Sequence, residues 1–404
     1  MKQLCTLLFI LFIGYICNAQ TKKTCVPCLP QGADFIRQSQ VDSFPINYPN
    51  CTQIGGYLSI RGNITNLSEL GGLTSIGGAV YVEYAGNLNN LNGLNNITTI
   101  GGILYITGNN SLTSLNGLNN LTSVGSYVEI SWNQALTSLS GLESLTSIGG
   151  YLSINDNHLL TSLSPLGNLT SINGGLGIFD DNQLTNLTGL EGLTSISDVL
   201  AIGGNPTLTS LTGLNNLTSI GGGIELTTNY NLTDVTGMNN VTSVGGDIRI
   251  VANKSMTNLI GFNNINAGSI CNLTITDNDM LSNCAVKSIC DYLANPNGTV
   301  TIQYNFTGCT SQYEVEDACA ALLVEPIITE SLLTIYPNPT SNKIIIETNT
   351  TGDLSVLNIG GKQLLQQKIT EPKTQLDIST LPSGVYVVRL TNDKTAQVGK
   401  FVKQ

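Results

Sequence analysis

Apolar and polar positions follow two nested periods along most of this chain. From Leu104 to Leu115 it reads L-x-I-x-x-N-x-x-L-x-x-L, and the phrase closes with G-L-x-x-L-T-S-V at Val124. The closing four residues, or a near variant, begin at Leu73, Ile97, Leu121, Leu145, Leu169, Leu193, Leu217 and Val241, each 24 residues after the last. A fixed period in this range marks a solenoid, whose units bury their apolar faces only on their neighbours. The unit from Leu121 to Ser144 offers Leu121, Val124, Val128, Ile130, Leu136, Leu139 and Leu142 for burial. Burying them does not offset the backbone entropy of ordering a whole unit. Single units are therefore expected to fold only as a stack, with hydrogen bonds running from coil to coil.

The inner period is two, as in Val128-Glu-Ile130 and Leu152-Ser-Ile154, which is the alternation of strands. Gly, Asn, Thr and Ser fill the gaps between apolar positions, and these favour turns over helix. The pattern predicts three short strands per coil, with corners at an Asn, at Asn-Gly-Leu-like turns and at Gly-Gly pairs. The fold class expected is all-β: a right-handed parallel β-helix, or leucine-rich-repeat-like solenoid, of 24-residue coils. The corner Asn follows the inner Ile by three residues at Asn63, Asn109, Asn133, Asn157, Asn205, Asn229, Asn253 and Asn278, with Ala85 and Asp181 as departures. A column of carboxamides there would satisfy buried backbone groups and link the coils. Sequons such as Asn120-Leu-Thr and Asn216-Leu-Thr arise because an Asn precedes a buried Leu, and they are read as structural rather than glycosylated.

The ends differ from the middle. Lys2, the apolar run Leu4–Ile16 and the small residue Ala19 read as an export signal over residues 1–19, too short to span a bilayer. Ile16 is bulky where lipidation of Cys17 would want a small residue, so ordinary cleavage is expected. Export fits the cysteines, because the mature chain keeps Cys25, Cys28 and Cys51 before the repeats and Cys271, Cys284, Cys290, Cys309 and Cys319 at or beyond their end. Three and five cannot all pair within their own clusters. One of Cys25 and Cys28 is expected to be spare, as is Cys271, and the bridge carried forward is Cys28 with Cys51. Asn283–Ala294 and Gln312–Leu323 have helical spacing. After Pro326 the repeats stop, and short apolar runs at Lys343–Glu347, Leu354–Leu357, Gly384–Leu390 and Gln397–Val402 predict a small β-sandwich.

Two resemblances sharpen this outline. The coils from about Cys51 to Cys319 resemble receptor L-domain repeats, the leucine-rich-repeat-like β-helices of growth-factor receptors and of many exported bacterial proteins. The flanks "NYPNCTQIGGYLSI" and "LSNCAVKSICDYLANPNGTVTIQYNFTGC" are similar to the caps of the bacterial members. This likeness implies a C-terminal cap with Cys284 bonded to Cys309 and Cys290 to Cys319. In the tail, "IYPNPTSNKIIIE", "LPSGVYVVRL" and the terminal "GKFVKQ" resemble the type A sorting domain of type IX secretion in Bacteroidetes-type bacteria. Carried onto this chain, the signal falls on Pro337, Pro339, Pro382, Gly384, Tyr386, Lys400 and Lys403. The likeness implies the type IX machinery as a partner, export across the outer membrane, removal of the tail, and attachment to the surface or release. Such a tail is an address read by a receptor. The expected divisions are a signal peptide (1–19), an N-terminal cap (20–52), the solenoid (53–282), a disulfide cap (283–323), a linker (324–331) and the sorting domain (332–404).

Composition narrows the chemistry. Charged residues are 11% of the chain, the net charge is −11, and neither Lys nor Arg occurs between Arg61 and Arg249. Nucleic acid needs basic side chains to neutralise phosphates, so it is not an expected partner, and no transmembrane segment is expected. His158 is the single histidine. That rules out a multi-histidine metal site, and His158 is read as a solvated corner rather than the base of a Ser-His-Asp triad. Cys25-Val-Pro-Cys28 has redox spacing but no βαβ context. Asp180-Asp181-Asn182 and Asp277-Asn-Asp279 lack the full spacing of a calcium loop. No metal, cofactor or enzymatic activity is expected. The informative residues lie between the buried ones on the Leu-x-Ile strand. They stack as Tyr57, Ala79, Ile103, Tyr127 and Tyr151 in one column and Ser59, Tyr81, Tyr105, Glu129 and Ser153 in the next. Glu83 lies among them, and Tyr84 and the only tryptophan, Trp132, take equivalent corners. Tyr and Trp offer apolar area with a polar handle. The expectation is a cell-surface or released recognition protein that binds a protein or glycan through this face. The other reading is a structural surface or matrix protein without a defined ligand.

Overall fold

The structure, a computed structural model, describes residues 27–323, 333–392 and 396–404. The export signal, Cys25 and the expected linker 324–331 lie outside the described residues. Two compact units divide near Asp317 and Ala318, within the helix Gln312–Leu323.

In the first unit the coils stack into two parallel sheets. One has twelve strands, running from Ala33–Arg37 through Leu58–Asn63, Val80–Glu83 and Leu104–Thr107 to Val300–Gln303. The other has nine strands of two residues each, from Gln53–Ile54 to Ser243–Val244. Register follows the repeat, so Leu152 faces Leu176 and Ile154 faces Ile178, and each such pair is fully buried.

The third side of each coil is not a strand, contrary to the expectation from the sequence. Its leucines sit three residues apart, as in Leu112, Leu115, Leu118 and Leu121, and all four are buried. A strand would turn alternate residues outward, so the chain instead makes successive three-residue turns, closed by Leu118 N to Leu115 O (3.1 Å) and Leu121 N to Leu118 O (2.9 Å). Backbone hydrogen bonds still link this side from coil to coil, for example Thr257 N to Thr233 O (2.9 Å). Gly117 turns there at φ +118°, and a β-carbon on it would lie 2.0 Å from Leu91 O.

The corner asparagines form a buried ladder from Ala85 to Asn305. Asn109 N donates to Asn133 Oδ1 (3.0 Å), while Asn109 Nδ2 donates to Val82 O (2.8 Å) and Thr107 O (3.0 Å). The rungs at Asn133, Asn157, Asn205, Asn229, Asn253 and Asn278 bond likewise through N and Nδ2. Asn63 departs from the expectation: it is exposed, and its Oδ1 accepts from Asn87 Nδ2 (2.7 Å). The reason is that Ala85, the next rung, has no carboxamide to offer it. A second, outer row holds the sequon asparagines, with Asn120 Nδ2 donating to Asn95 O (2.7 Å) and Asn216 Nδ2 to Glu191 O (2.8 Å).

Both ends of the stack are covered, as a solenoid's apolar ends require. At the N-terminal end Ala33–Arg37 adds the first rung, and the helices Gln38–Asp42 and Phe44–Asn47 help bury Phe35, Val41 and Phe44. Cys28 is bonded to Cys51. At the other end the helix Lys287–Ala294 buries Ile289 and Tyr292, and the Tyr292 hydroxyl donates to Cys271 O (2.6 Å). Cys284 is bonded to Cys309, and Cys290 and Cys319 are disulfide-bonded as well. Cys271 is an exposed free cysteine.

The second unit carries two antiparallel sheets. The strands Thr334–Tyr336, Lys343–Glu347 and Lys373–Asp377 form one, and Gln363–Ile369, Gly352–Asn358, Gly384–Thr391 and Ala396–Lys403 form the other. Ile344, Ile346, Val356, Val388 and Phe401 are fully buried in its core.

Candidate functional site

Alternation on the twelve-stranded sheet sends every second side chain outward, and the parallel register lines these up from coil to coil. Tyr81 pairs with Tyr105, and Tyr105 with Glu129. Tyr57, Tyr81 and Tyr105 form a run of edge-to-face rings with centroids 6.5 and 6.3 Å apart, a favoured aromatic arrangement. Tyr127 and Tyr151 stack at 6.0 Å. The Tyr127 hydroxyl donates to Glu129 Oε2 (2.6 Å), and Ser131 Oγ donates to Oε1 of the same carboxylate (2.7 Å). Burial, then the bond to Glu129, pushes the Tyr127 phenol well above its ordinary range; burial raises Tyr105 and Tyr151 too. These hydroxyls stay protonated at neutral pH, and the Tyr127 proton is committed to Glu129. Glu83 pairs in register with Arg61, which is bonded to Asp34 at 2.6 Å.

Directly after Tyr151 the face is smooth at Gly175, Gly177 and Ala201, before the Glu225–Arg249 ion pair. A β-carbon on Gly177 would lie 2.3 Å from the Tyr151 hydroxyl, and one on Gly175 would lie 2.5 Å from the Tyr151 ring. The Tyr151 ring therefore lies down over the glycines of the following coil, and part of its surface serves as cover.

Tyr84 and Trp132 are not on the sheet face. They occupy the corner at its end, where each coil turns through the left-handed region: Tyr84 at φ 50°, Gly108 at 69°, Trp132 at 57°, Asp156 at 56°. This conformation is unusual away from glycine. In these four coils the next residue, Ala85, Asn109, Asn133 or Asn157, is the buried ladder position, and its hydrogen bonds hold the turn in place. The corner side chains project outward, leaving Tyr84 72% and Trp132 55% exposed. Tyr84, Gly108, Asn110, Trp132, Gln134 and His158 line an open cleft of about 540 Å³. The structure thus separates the nine candidate residues into a sheet group (Tyr57, Tyr81, Glu83, Tyr105, Tyr127, Glu129, Tyr151) and a corner pair. Sequence reasoning missed Asn110 and Gln134 and set His158 aside. The repeat held the signal, since all three stand two residues beyond the corner position of successive coils.

In the second unit the three phrases of the tail meet. Asn338, between Pro337 and Pro339, donates from Nδ2 to Lys400 O (3.1 Å) and accepts from Val402 N (2.8 Å). The Tyr386 hydroxyl donates to Pro382 O (2.7 Å), and its ring stacks on Phe401 at 5.4 Å. Gly384 pairs with Lys403, whose Nζ donates to Leu381 O (2.7 Å).

A secreted repeat protein with an addressed tail is the class that these two units define. Residues 122–183 match the receptor L domain family, and residues 334–404 match the secretion system C-terminal sorting domain. No curated protein matches the chain. Residues 122–183 are thus similar to a receptor L domain, and the type IX sorting domain at residues 334–404 directs the protein to the outer-membrane surface or the extracellular medium. Both families are non-catalytic. No helix among the described residues is long and apolar enough to cross a membrane.

Proposed function

We propose that this protein is a non-enzymatic recognition or adhesion protein. It binds a protein or glycan through the tyrosine-rich outward face of the solenoid, and its tail delivers that face to the cell exterior. The observation that carries the reading is the edge-to-face run Tyr57–Tyr81–Tyr105 continuing to Glu129, aromatic area beside a carboxylate held by Tyr127 and Ser131. Large aromatic side chains with polar tips dominate the energetics of many interfaces. Tyr81→Ala, Tyr105→Ala and Tyr127→Ala combined test it. Adhesion or ligand capture should be lost while the melting temperature and circular dichroism stay close to wild type. Tyr151 lying over Gly175 and Gly177 favours a second reading, a structural surface or matrix component whose tyrosines only cover neighbouring coils. Unchanged adhesion in the triple variant selects that reading.

A further inference from the structure

We propose that the corner cleft between Tyr84 and Trp132 is a binding site for a neutral carbohydrate, with sugar rings stacked on the two aromatics and their hydroxyls met by Asn110, Gln134 and His158. This deepens the recognition reading and rests on it, but on a different part of the molecule from the sheet tyrosines.

The aromatics stand two coils apart, about 9–10 Å along the stack at ordinary strand spacing, with Gly108 between them. A β-carbon on Gly108 would lie 2.5 Å from Tyr84 Cδ1 and 2.6 Å from Cε1. The Tyr84 ring therefore rests against the backbone at Gly108 and presents its other face to solvent. Along one side runs a row of planar polar groups. Gln134 Nε2 donates to Asp156 O (3.1 Å), and His158 Nδ1 lies 3.0 Å from Asp180 O and 3.1 Å from Asn182 Nδ2, so that it donates to the first or accepts from the second according to its tautomer and is held either way. Rings that offer an apolar face, beside amides that both donate and accept, suit a pyranose, which has an apolar C–H face and an edge of hydroxyls.

Charge disfavours an anionic sugar, and the paired backbone excludes a peptide added as a strand. No Lys or Arg lies between Arg61 and Arg249, and Asp156 and Asp180 share the corner column, so an anionic sugar meets only repulsion. A peptide adding as a strand needs free backbone groups. Here Tyr84 N donates to Thr107 O (3.0 Å), Gly108 N to Ser131 O (3.1 Å) and Trp132 N to Asn155 O (3.1 Å). The cleft recognises through side chains alone.

Trp132 is the only tryptophan, so its fluorescence reports the cleft directly. The full chain is titrated with cello-, malto-, manno- and chito-tetraose, with a sialylated oligosaccharide and an unstructured peptide as controls. At least one neutral sugar should change the emission saturably. Tyr84→Ala, and Gly108→Asn, which keeps a residue tolerant of the left-handed turn, should each weaken that affinity about tenfold or more with melting unchanged. The triple sheet variant should bind the sugar as wild type does, whatever it does to adhesion, so failure of the sheet reading is visible separately. The proposal is overturned if no neutral sugar alters the emission, if only the peptide or the sialylated sugar does, or if both cleft variants bind as wild type.

Discussion

Asp181 is the rung of the asparagine ladder that lacks an amide. Its Oδ1 accepts from Asn157 N (2.9 Å), as an asparagine would, but its fully buried Oδ2 has no hydrogen-bond partner. In the adjacent rung, Asn205 Nδ2 donates to Ile178 O (3.0 Å) and Gly203 O (2.9 Å). By the same spacing, Oδ2 of Asp181 faces the carbonyls of Ile154 and Phe179, and only the protonated acid supplies the missing donor. Burial accordingly pushes the carboxyl up to about 8, with the charges of Asp156 and Asp180 adding to the effect. The folded-state value is raised above the ordinary 3.8, so the stabilising contribution is full below about pH 4 and is lost as pH rises through about 8. Asp181→Asn should match wild type near pH 4 and exceed it by about 1–3 kcal/mol at pH 8–9, the scale of a buried unsatisfied group. Thermal melts of both proteins from pH 4 to 9 check this, and parallel curves would sink it.

At the scale of the coil, the glycines divide by what surrounds them. Gly117 approaches the preceding coil's backbone at Leu91 and adopts φ +118°, whereas a β-carbon on Gly86 would meet nothing within 4 Å. Gly117→Ala combines backbone strain with a main-chain clash and should cost on the order of 3 kcal/mol. Gly86→Ala should leave the denaturation midpoint within experimental error, and equal midpoints for the two variants would contradict the packing described. The recurrence of Leu-Thr-Ser-Ile gave away the coil length and the buried set. The third side was misjudged because strand and three-residue turn both bury leucine, and only the spacing of Leu112, Leu115, Leu118 and Leu121 tells them apart.

For the whole molecule, the tail sets where the solenoid works. Residues 334–404 have their own buried core and match a sorting domain. Truncation before Thr334 should leave the repeats folded but retained within the cell envelope, as fractionation and surface labelling would show. Surface display of the truncated chain at wild-type levels would contradict the role of the tail.

Sequence alone determined the 24-residue stack and the corner column, because each follows from which residue types recur at which spacing, and its closing phrases marked the sorting domain. Tertiary structure decided which outward side chains meet. Tyr151 became cover because the coil beneath it carries glycines. Tyr84, Trp132, Gln134 and His158 became one cleft because parallel stacking brings positions 24 residues apart within a strand spacing of each other. Side-chain direction at a left-handed corner is set by the hydrogen-bonded ladder behind it, and no linear pattern records that.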